Sequence, residues 1–178
     1  MLNLFKIKKL QAGFTLIELL IVIAILGILT TAVLVAINPL EQFARGRDAG
    51  RATLVDQVGH AVQAYYTAQG AYPTLNNAWM TSLVNSQDIK TVPDNSGVNN
   101  TATPCTGTAF AQANLCYNTN GTDAVVYAVQ SSDSQKIKAG GAAKCATITF
   151  IVWSSAAGRT GLYCSNTEPT VGMTNLVF

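Results

Sequence analysis

The residues best suited to chemistry in this chain are four cysteines, one histidine and nine carboxylates. One carboxylate stands apart, because Glu18 is the single charged residue in the 24 positions from Phe14 to Ile37. A charge inside a bilayer costs about 2.5–3.5 kcal/mol on insertion scales, and intramembrane carboxylates usually have a partner. The chemistry that Glu18 offers is therefore charge pairing.

The apolar run around Glu18 is long enough to cross a membrane. As a helix it would reach about 36 Å, against a hydrocarbon core of about 30 Å. Lys6, Lys8 and Lys9 precede the run, whereas the chain after Gly13 has eight basic and nine acidic residues. By the positive-inside rule the N-terminus stays in the cytoplasm and the remainder is exported. This balance leaves no basic field that would recruit nucleic acid.

The run does not fit a cleaved secretory signal, whose apolar region is only about 7–15 residues long and ends at a small-residue cleavage site. No basic residue in the run can pair with Glu18. The candidate cation is the α-amino group that a cut between Gly13 and Phe14 would create, one helical turn from the carboxylate. The alternative is that Glu18 snorkels to the cytoplasmic headgroups.

The segment KKLQAGFTLIELLIVIAILGIL resembles the N-terminus of type IV pilins and pseudopilins. The resemblance implies that a prepilin peptidase cuts after Gly13 and N-methylates Phe14. It also implies that Glu18 is the fifth-residue carboxylate of the mature chain. At low dielectric Glu18 would meet the Phe14 ammonium of a neighbouring subunit and fix the axial register between them. The chain departs from the family in one respect, since the common helix proline falls at Val35 and this chain has Pro39.

The remaining pattern predicts an α+β fold of the type IV pilin kind. One long helix is expected from about residue 14 to 68, kinked near Pro39 and ended by QGAYP. Its second half carries an apolar stripe of Leu54, Val58, Ala61, Val62 and Tyr65. The runs DAVVYAVQ, KCATITFIVW and RTGLYC predict an antiparallel sheet of three or four strands that covers the stripe. The segment NNAWMTSLVNS predicts a short helix in an otherwise irregular connector.

These elements predict four segments along the chain. Residues 1–13 are a cleaved basic leader, and 14–37 are the transmembrane and filament-core half of the helix. Residues 38–70 are its amphipathic half, and 71–178 form a globular head. The head divides into a connector at 71–122 and the sheet at 123–178.

The four cysteines are expected to form two disulfides, because an even count in an exported domain usually indicates pairing. Three connectivities are possible, and we favour Cys105–Cys116 and Cys145–Cys164. The second pair has a difficulty, since symmetric pairing of the flanking strands places Cys164 opposite Ile148 and facing away from Cys145.

No catalytic or metal site is expected from the sequence. His60 lies one helical turn from Asp56, which is a helix-surface pair, and no nucleophile with a base is placed near it. Zinc is disfavoured because no C-x₂-C pair occurs. Calcium is disfavoured because Asp94, Asp123 and Asp133 lack the spacing of a calcium loop. We therefore expect neither an enzyme nor a cofactor.

The leading functional hypothesis is a type IV pilin precursor, the subunit of a filament used in adhesion, twitching motility or DNA uptake. Its partners would be further copies of itself, a prepilin peptidase, an assembly ATPase with its platform, and the cytoplasmic membrane before assembly. It would then be displayed on the bacterial surface. The alternatives are a pseudopilin of a type II secretion or competence system and a membrane-tethered binding domain.

Overall fold

A computed structural model describes residues 13–93, 105, 109–139 and 145–177. The leader lysines and Asp94 lie outside these residues. The chain divides into two compact units, Met1–Pro39 and Leu40–Phe178, and each is described by itself.

The first unit contains helix α1, Leu16–Ile37, which has no buried residue. Among the described residues, α1 is the one helix long and apolar enough to cross a membrane. It ends at Asn38, whose φ of 47° is the left-handed conformation that often closes a helix. Pro39 begins the next helix, a position where its missing N–H costs no hydrogen bond. The expected long helix is therefore interrupted one residue ahead of Pro39.

Within the described residues the second unit is an antiparallel meander with three helices, so the α+β prediction is confirmed. The helices are α2 (Pro39–Gln69), α3 (Trp79–Asn85) and α4 (Asp133–Ala139). The strands are β1 (Phe110–Gln112), β2 (Leu115–Thr119), β3 (Ala124–Gln130), β4 (Ile148–Ser154) and β5 (Arg159–Ser165). The sheet order is β1-β2-β3-β4-β5, which makes five strands where three or four were expected.

The additional strands lie in the stretch that was expected to be an irregular connector. A two-residue turn joins β1 to β2, and both Ala113 and Asn114 have positive φ, at 52° and 59°. This is the turn geometry that matches the twist of a hairpin, but it is usually signalled by Asn-Gly or Asp-Gly. The Ala-Asn pair at this turn lacks that signal, so the sequence does not predict the hairpin.

The core lies between α2, α3 and one face of the sheet. Val55, Val58 and Val62 of α2 are buried against Trp79 and Trp153, among others. Since side chains alternate across a strand, the neighbouring residues of β3 and β4 point to the other face.

The other face of the sheet is covered by the C-terminal tail. Met173 and Leu176 of the tail pack there with Tyr127 and Phe150. Val177 and Leu162 exchange two backbone hydrogen bonds of 2.7 and 2.9 Å, so the tail also covers part of the free edge of β5.

Candidate functional site

The first turn of α1 holds Glu18 in a capping box with Thr15. The Thr15 backbone N–H donates to Glu18 Oε2 at 2.8 Å, and the Thr15 hydroxyl donates to the same oxygen at 2.7 Å. In return the Glu18 backbone N–H donates to Thr15 Oγ1 at 3.3 Å. These bonds satisfy backbone donors that the helix start would otherwise leave unpaired.

This internal partner is a feature that sequence reasoning missed. The sequence led us to expect a neighbour's ammonium group or the lipid headgroups as the partner of Glu18. The signal was present, because Thr15 and Glu18 form the T-x-x-E pattern of a capping box directly before an apolar run. Glu18 thus has polar contacts within its own chain, and any contact with another subunit adds to these.

Gly13 and Phe14 lie ahead of the helix, in backbone that is neither helix nor strand. Both residues are exposed, and the Phe14 side chain is 84% accessible. The peptide bond between them is therefore not held in the helical hydrogen-bond ladder. The structure places Gly13, Phe14 and Glu18 within six consecutive residues at one end of an apolar helix.

The second unit contains another polar centre, between α2 and the end of β3. The sequence did not reveal it. Asp48 and Arg51 are 0% and 3% exposed, and Arg51 Nη1 lies 2.9 Å from Asp48 Oδ1. Asp48 also accepts the backbone N–H groups of Ser131 at 3.0 Å and Ser132 at 2.7 Å. Arg51 donates to the Val129 carbonyl at 3.0 Å. A buried ion pair with these additional bonds ties α2 to the end of β3.

The Arg51 guanidinium keeps its charge at neutral pH although it is buried. Burial lowers the pKa of the Arg51 guanidinium from its ordinary value, and the adjacent Asp48 opposes that shift. Arginine stays protonated in proteins, so the pair is ionic. Loss of either partner would leave an uncompensated buried charge.

Glu41 extends this connection two helical turns toward the start of α2. Its carboxylate accepts the backbone N–H groups of Asp133 and Ser134, both at 3.0 Å, at the first turn of α4. The predicted Glu41–Arg45 pair is also present, at 3.0 Å. The bond from the Asp133 N–H lowers the pKa of the Glu41 carboxyl below its ordinary value of 4.5. Glu41 therefore caps a helix that is distant in sequence.

His60 and Asp56 form the surface pair that the helical spacing predicts. His60 Nε2 lies 3.7 Å from Asp56 Oδ1, and the His60 side chain is 65% exposed. Asp56 also links α2 to the sheet, because the Thr160 hydroxyl of β5 donates to Asp56 Oδ1 at 2.6 Å. In the part of the chain that the structure describes, no three His, Cys, Asp or Glu residues cluster as a metal site would require.

The structure pairs Cys105 with Cys116 and Cys145 with Cys164, with Cα–Cα distances of 5.6 and 5.9 Å. The expected register of the second pair was wrong by one residue, because Cys164 lies opposite Thr149. Cys145 precedes the first residue of β4 by three positions, so strand alternation does not fix its direction. That is why the two sulfur atoms can meet.

Comparisons with known proteins match part of the chain. The family described as "Prokaryotic N-terminal methylation motif" matches residues 8–34. Fimbrial protein EcpC of Eikenella corrodens is 38% identical over 87 residues, which is 48% of this chain and 56% of that protein. The fimbrial protein of Neisseria meningitidis serogroup A / serotype 4A is 41% identical over 83 residues, 47% of this chain and 46% of that protein.

The chain spans about half the length of the curated relatives it matches. No solved structure matches the chain. The matched family covers Gly13, Phe14 and Glu18 together with most of α1.

Proposed function

We propose that this chain, which carries the N-terminal segment of the type IV pilin family, is the precursor of a structural subunit that polymerises into an extracellular pilus. One observation carries the proposal. Glu18 is the sole charge of α1, and it lies in the first turn of a helix that exposes apolar side chains on every side.

In this proposal a prepilin peptidase cuts the Gly13–Phe14 bond and N-methylates Phe14. The cut creates an ammonium group at the N-terminus of α1, where the helix dipole is already positive. That cation is unfavourable unless an anion lies near it, and Glu18 is the available one. Within one chain the pair lowers the cost of holding both charges in lipid. Between chains it would select one axial offset among neighbouring helices that offer little other specificity.

The apolar surface of α1 suits two successive environments. Residues 14–37 would first span the cytoplasmic membrane with the N-terminus in the cytoplasm, and residues 38–178 would lie outside. The two disulfides fit an oxidising compartment on that side. An assembly ATPase and platform would then move α1 from lipid into a bundle with other copies. There the amphipathic segment 38–70 and the head at 71–178 would surround the filament core.

A pseudopilin of a type II secretion or competence system is the second candidate function. The names of both relatives, which are fimbrial proteins, favour the surface filament instead. Adhesion, twitching motility and DNA uptake remain the proposed roles of such a filament. A membrane-tethered binding domain would use Glu18 only as a helix cap.

Mass spectrometry of the protein purified from cells tests the processing step. The expected product lacks residues 1–13 and carries one methyl group on Phe14. An intact N-terminus would contradict both pilin functions.

Electron microscopy of sheared surface material then separates the two candidates. Long filaments whose subunit is this chain support the pilus, whereas processed protein that stays in the envelope supports the pseudopilin.

A further inference from the structure

We propose that the start of α2 and helix α4 together form a surface that rests on anionic lipid headgroups before the subunit is polymerised. We call it the base surface and define it by Leu40, Phe43, Arg47, Ile137 and Lys138. The inference rests on the proposed function in one respect, which is that α1 spans the membrane.

The two parts of the base surface are held together by named contacts. Glu41 of α2 accepts the Asp133 and Ser134 N–H groups of α4 at 3.0 Å. Two turns further along α2, buried Asp48 accepts the Ser132 N–H at 2.7 Å. Because α4 is fixed at its first turn by these bonds, Ile137 and Lys138 lie about one helical turn from the Glu41 carboxylate.

Chain connectivity keeps Leu40, the first residue of the base surface, near the end of α1. Leu40 follows the last residue of α1, Ile37, by three positions. A chain extends at most about 3.6 Å per residue, so Leu40 lies within about 11 Å of the end of the span. The headgroup region adds about 5–8 Å beyond the hydrocarbon on each side. If α1 spans the membrane, the chain therefore holds Leu40 within reach of the headgroups.

The composition of the base surface fits a lipid interface. Its apolar members are well exposed, with Leu40 at 77%, Phe43 at 71% and Ile137 at 53%. Arg47 and Lys138 are exposed beside them. Apolar side chains among basic ones are the combination that binds anionic membrane surfaces.

The distribution of charge over the second unit also favours contact of the base surface with anionic lipid. Residues 40–51 and 131–139 contain five basic and three acidic residues, whereas 52–130 and 140–178 contain three basic and five acidic ones. The positive excess of the second unit therefore lies in the two segments that carry the base surface. Anionic headgroups attract it, while the equivalent surface of a second copy repels it.

Tryptophan fluorescence in lipid nanodiscs tests the proposal on the full chain, with one chain per disc. Ile137→Trp places the probe in the base surface. Thr122→Trp is the matched control, because Thr122 is exposed in the β2–β3 turn, at the opposite end of β3 from α4. The native Trp79 and Trp153 are buried, at 0% and 1% exposure, and contribute little quenching. Leu29→Trp in α1 reports insertion of the span.

In discs of brominated phosphatidylglycerol we expect the Ile137→Trp emission to be quenched at least twofold more than that of Thr122→Trp. Neutral brominated phosphatidylcholine, or the added changes Lys136→Gln and Lys138→Gln, should remove at least half of that difference. Equal quenching at positions 137 and 122 would overturn the inference. A quenching difference that appears only with two chains per disc would also overturn the inference, because the base surface would then bind a second copy of the chain.

The Leu29→Trp probe separates this inference from the proposed function. Quenching at position 29 without extra quenching at 137 leaves α1 in the membrane and removes only the base surface. Absence of quenching at position 29 contradicts the membrane span, and with it the proposed function.

Discussion

Gly59 lies where α2 crosses the indole ring of Trp153, and no side chain fits between them. A Cβ atom added at Gly59 would lie 2.1 Å from Trp153 Cγ, well inside van der Waals contact. Trp153 is 1% exposed and has no free space into which it could turn without disturbing the core. The glycine therefore sets the distance between helix and sheet.

Gly59→Ala should destabilise the second unit by about 3 kcal/mol, the upper end of the usual overpacking penalty, because the clash falls on a rigid buried ring. The measurement is the denaturant midpoint of the full chain in detergent. Gly50→Ala is the matched control, since no atom lies within 4 Å of its added Cβ. That variant should gain about 0.5–1 kcal/mol from helix propensity. Equal stability of the two variants would contradict the close packing.

The difference between Glu41 and Asp48 shows which residue roles could be read from the sequence. Glu41 and Arg45 are neighbours along a helix, so their pairing follows from spacing alone. The N–H groups bound by Asp48 are 83 and 84 positions away, and only the folded sheet brings them to it. Glu18 is an intermediate case. Its position as the lone charge of the apolar run is evident from the sequence, but its capping bond with Thr15 was not predicted.

At the scale of elements, α4 depends on a carboxylate that another helix supplies. The sequence around it, SSDSQKIKAGGAA, lies between two of the predicted strands. A seven-residue helix is marginal by itself in water. Glu41 accepts two of the first N–H groups of α4. This capping residue lies far away in the sequence, so the residues around α4 do not reveal the cap.

The stability of the second unit should therefore fall on acidification through the titration of Glu41. The pKa of this carboxyl is lower in the folded chain than its ordinary value of 4.5, chiefly because it accepts the Asp133 N–H. A depressed folded pKa means that the stabilisation is complete above 4.5 and is lost as the pH falls through the folded pKa.

Glu41→Gln should remove this contribution to the acid dependence, because the amide does not titrate. Denaturant midpoints of the wild type and the variant at several values from neutral pH down to about pH 3 provide the measurement, spanning the ordinary carboxyl range. The gap between the two proteins should narrow as the pH falls. A gap that stays constant would show that Glu41 does not anchor α4 through its charge.

The strands illustrate where sequence patterns succeed. Long β-branched and aromatic runs located β3, β4 and β5 to within a few residues. The short β1 and β2 were missed because their turn lacks the usual residues, and the Cys164 register was one residue off because a hairpin loop length is hard to fix from composition. Helix α2 was predicted correctly, since its apolar stripe persists over many turns.

For the whole molecule, the two proposed uses of Glu18 can be separated by two substitutions. Glu18→Gln keeps a side chain that can accept the Thr15 bonds, since glutamine also serves in capping boxes, but it removes the charge. Thr15→Val keeps the charge and removes the hydroxyl. If a neighbour's ammonium group is the partner in the filament, the charge decides assembly.

We therefore expect Glu18→Gln to insert into the membrane normally and to reduce surface filaments at least tenfold. Thr15→Val should retain filaments within about twofold, with a loss of helix stability of about 1 kcal/mol from the missing cap. Filament yield by electron microscopy and immunoblotting of the membrane fraction are the two measurements. The reverse ranking of the two variants would assign Glu18 a capping role alone.

The long sequence separation of the contacts of α2 also has a consequence for the timing of export. Cysteine partners are only 11 and 19 positions apart, so these loops close soon after their residues emerge. The Thr160–Asp56 bond spans 104 positions. In the proposed export α1 stays in the membrane with the N-terminus in the cytoplasm, so α2 crosses before the strands that bury it. Val55, Val58 and Val62 would then stay exposed to water until α3 and β4, which carry Trp79 and Trp153, have followed.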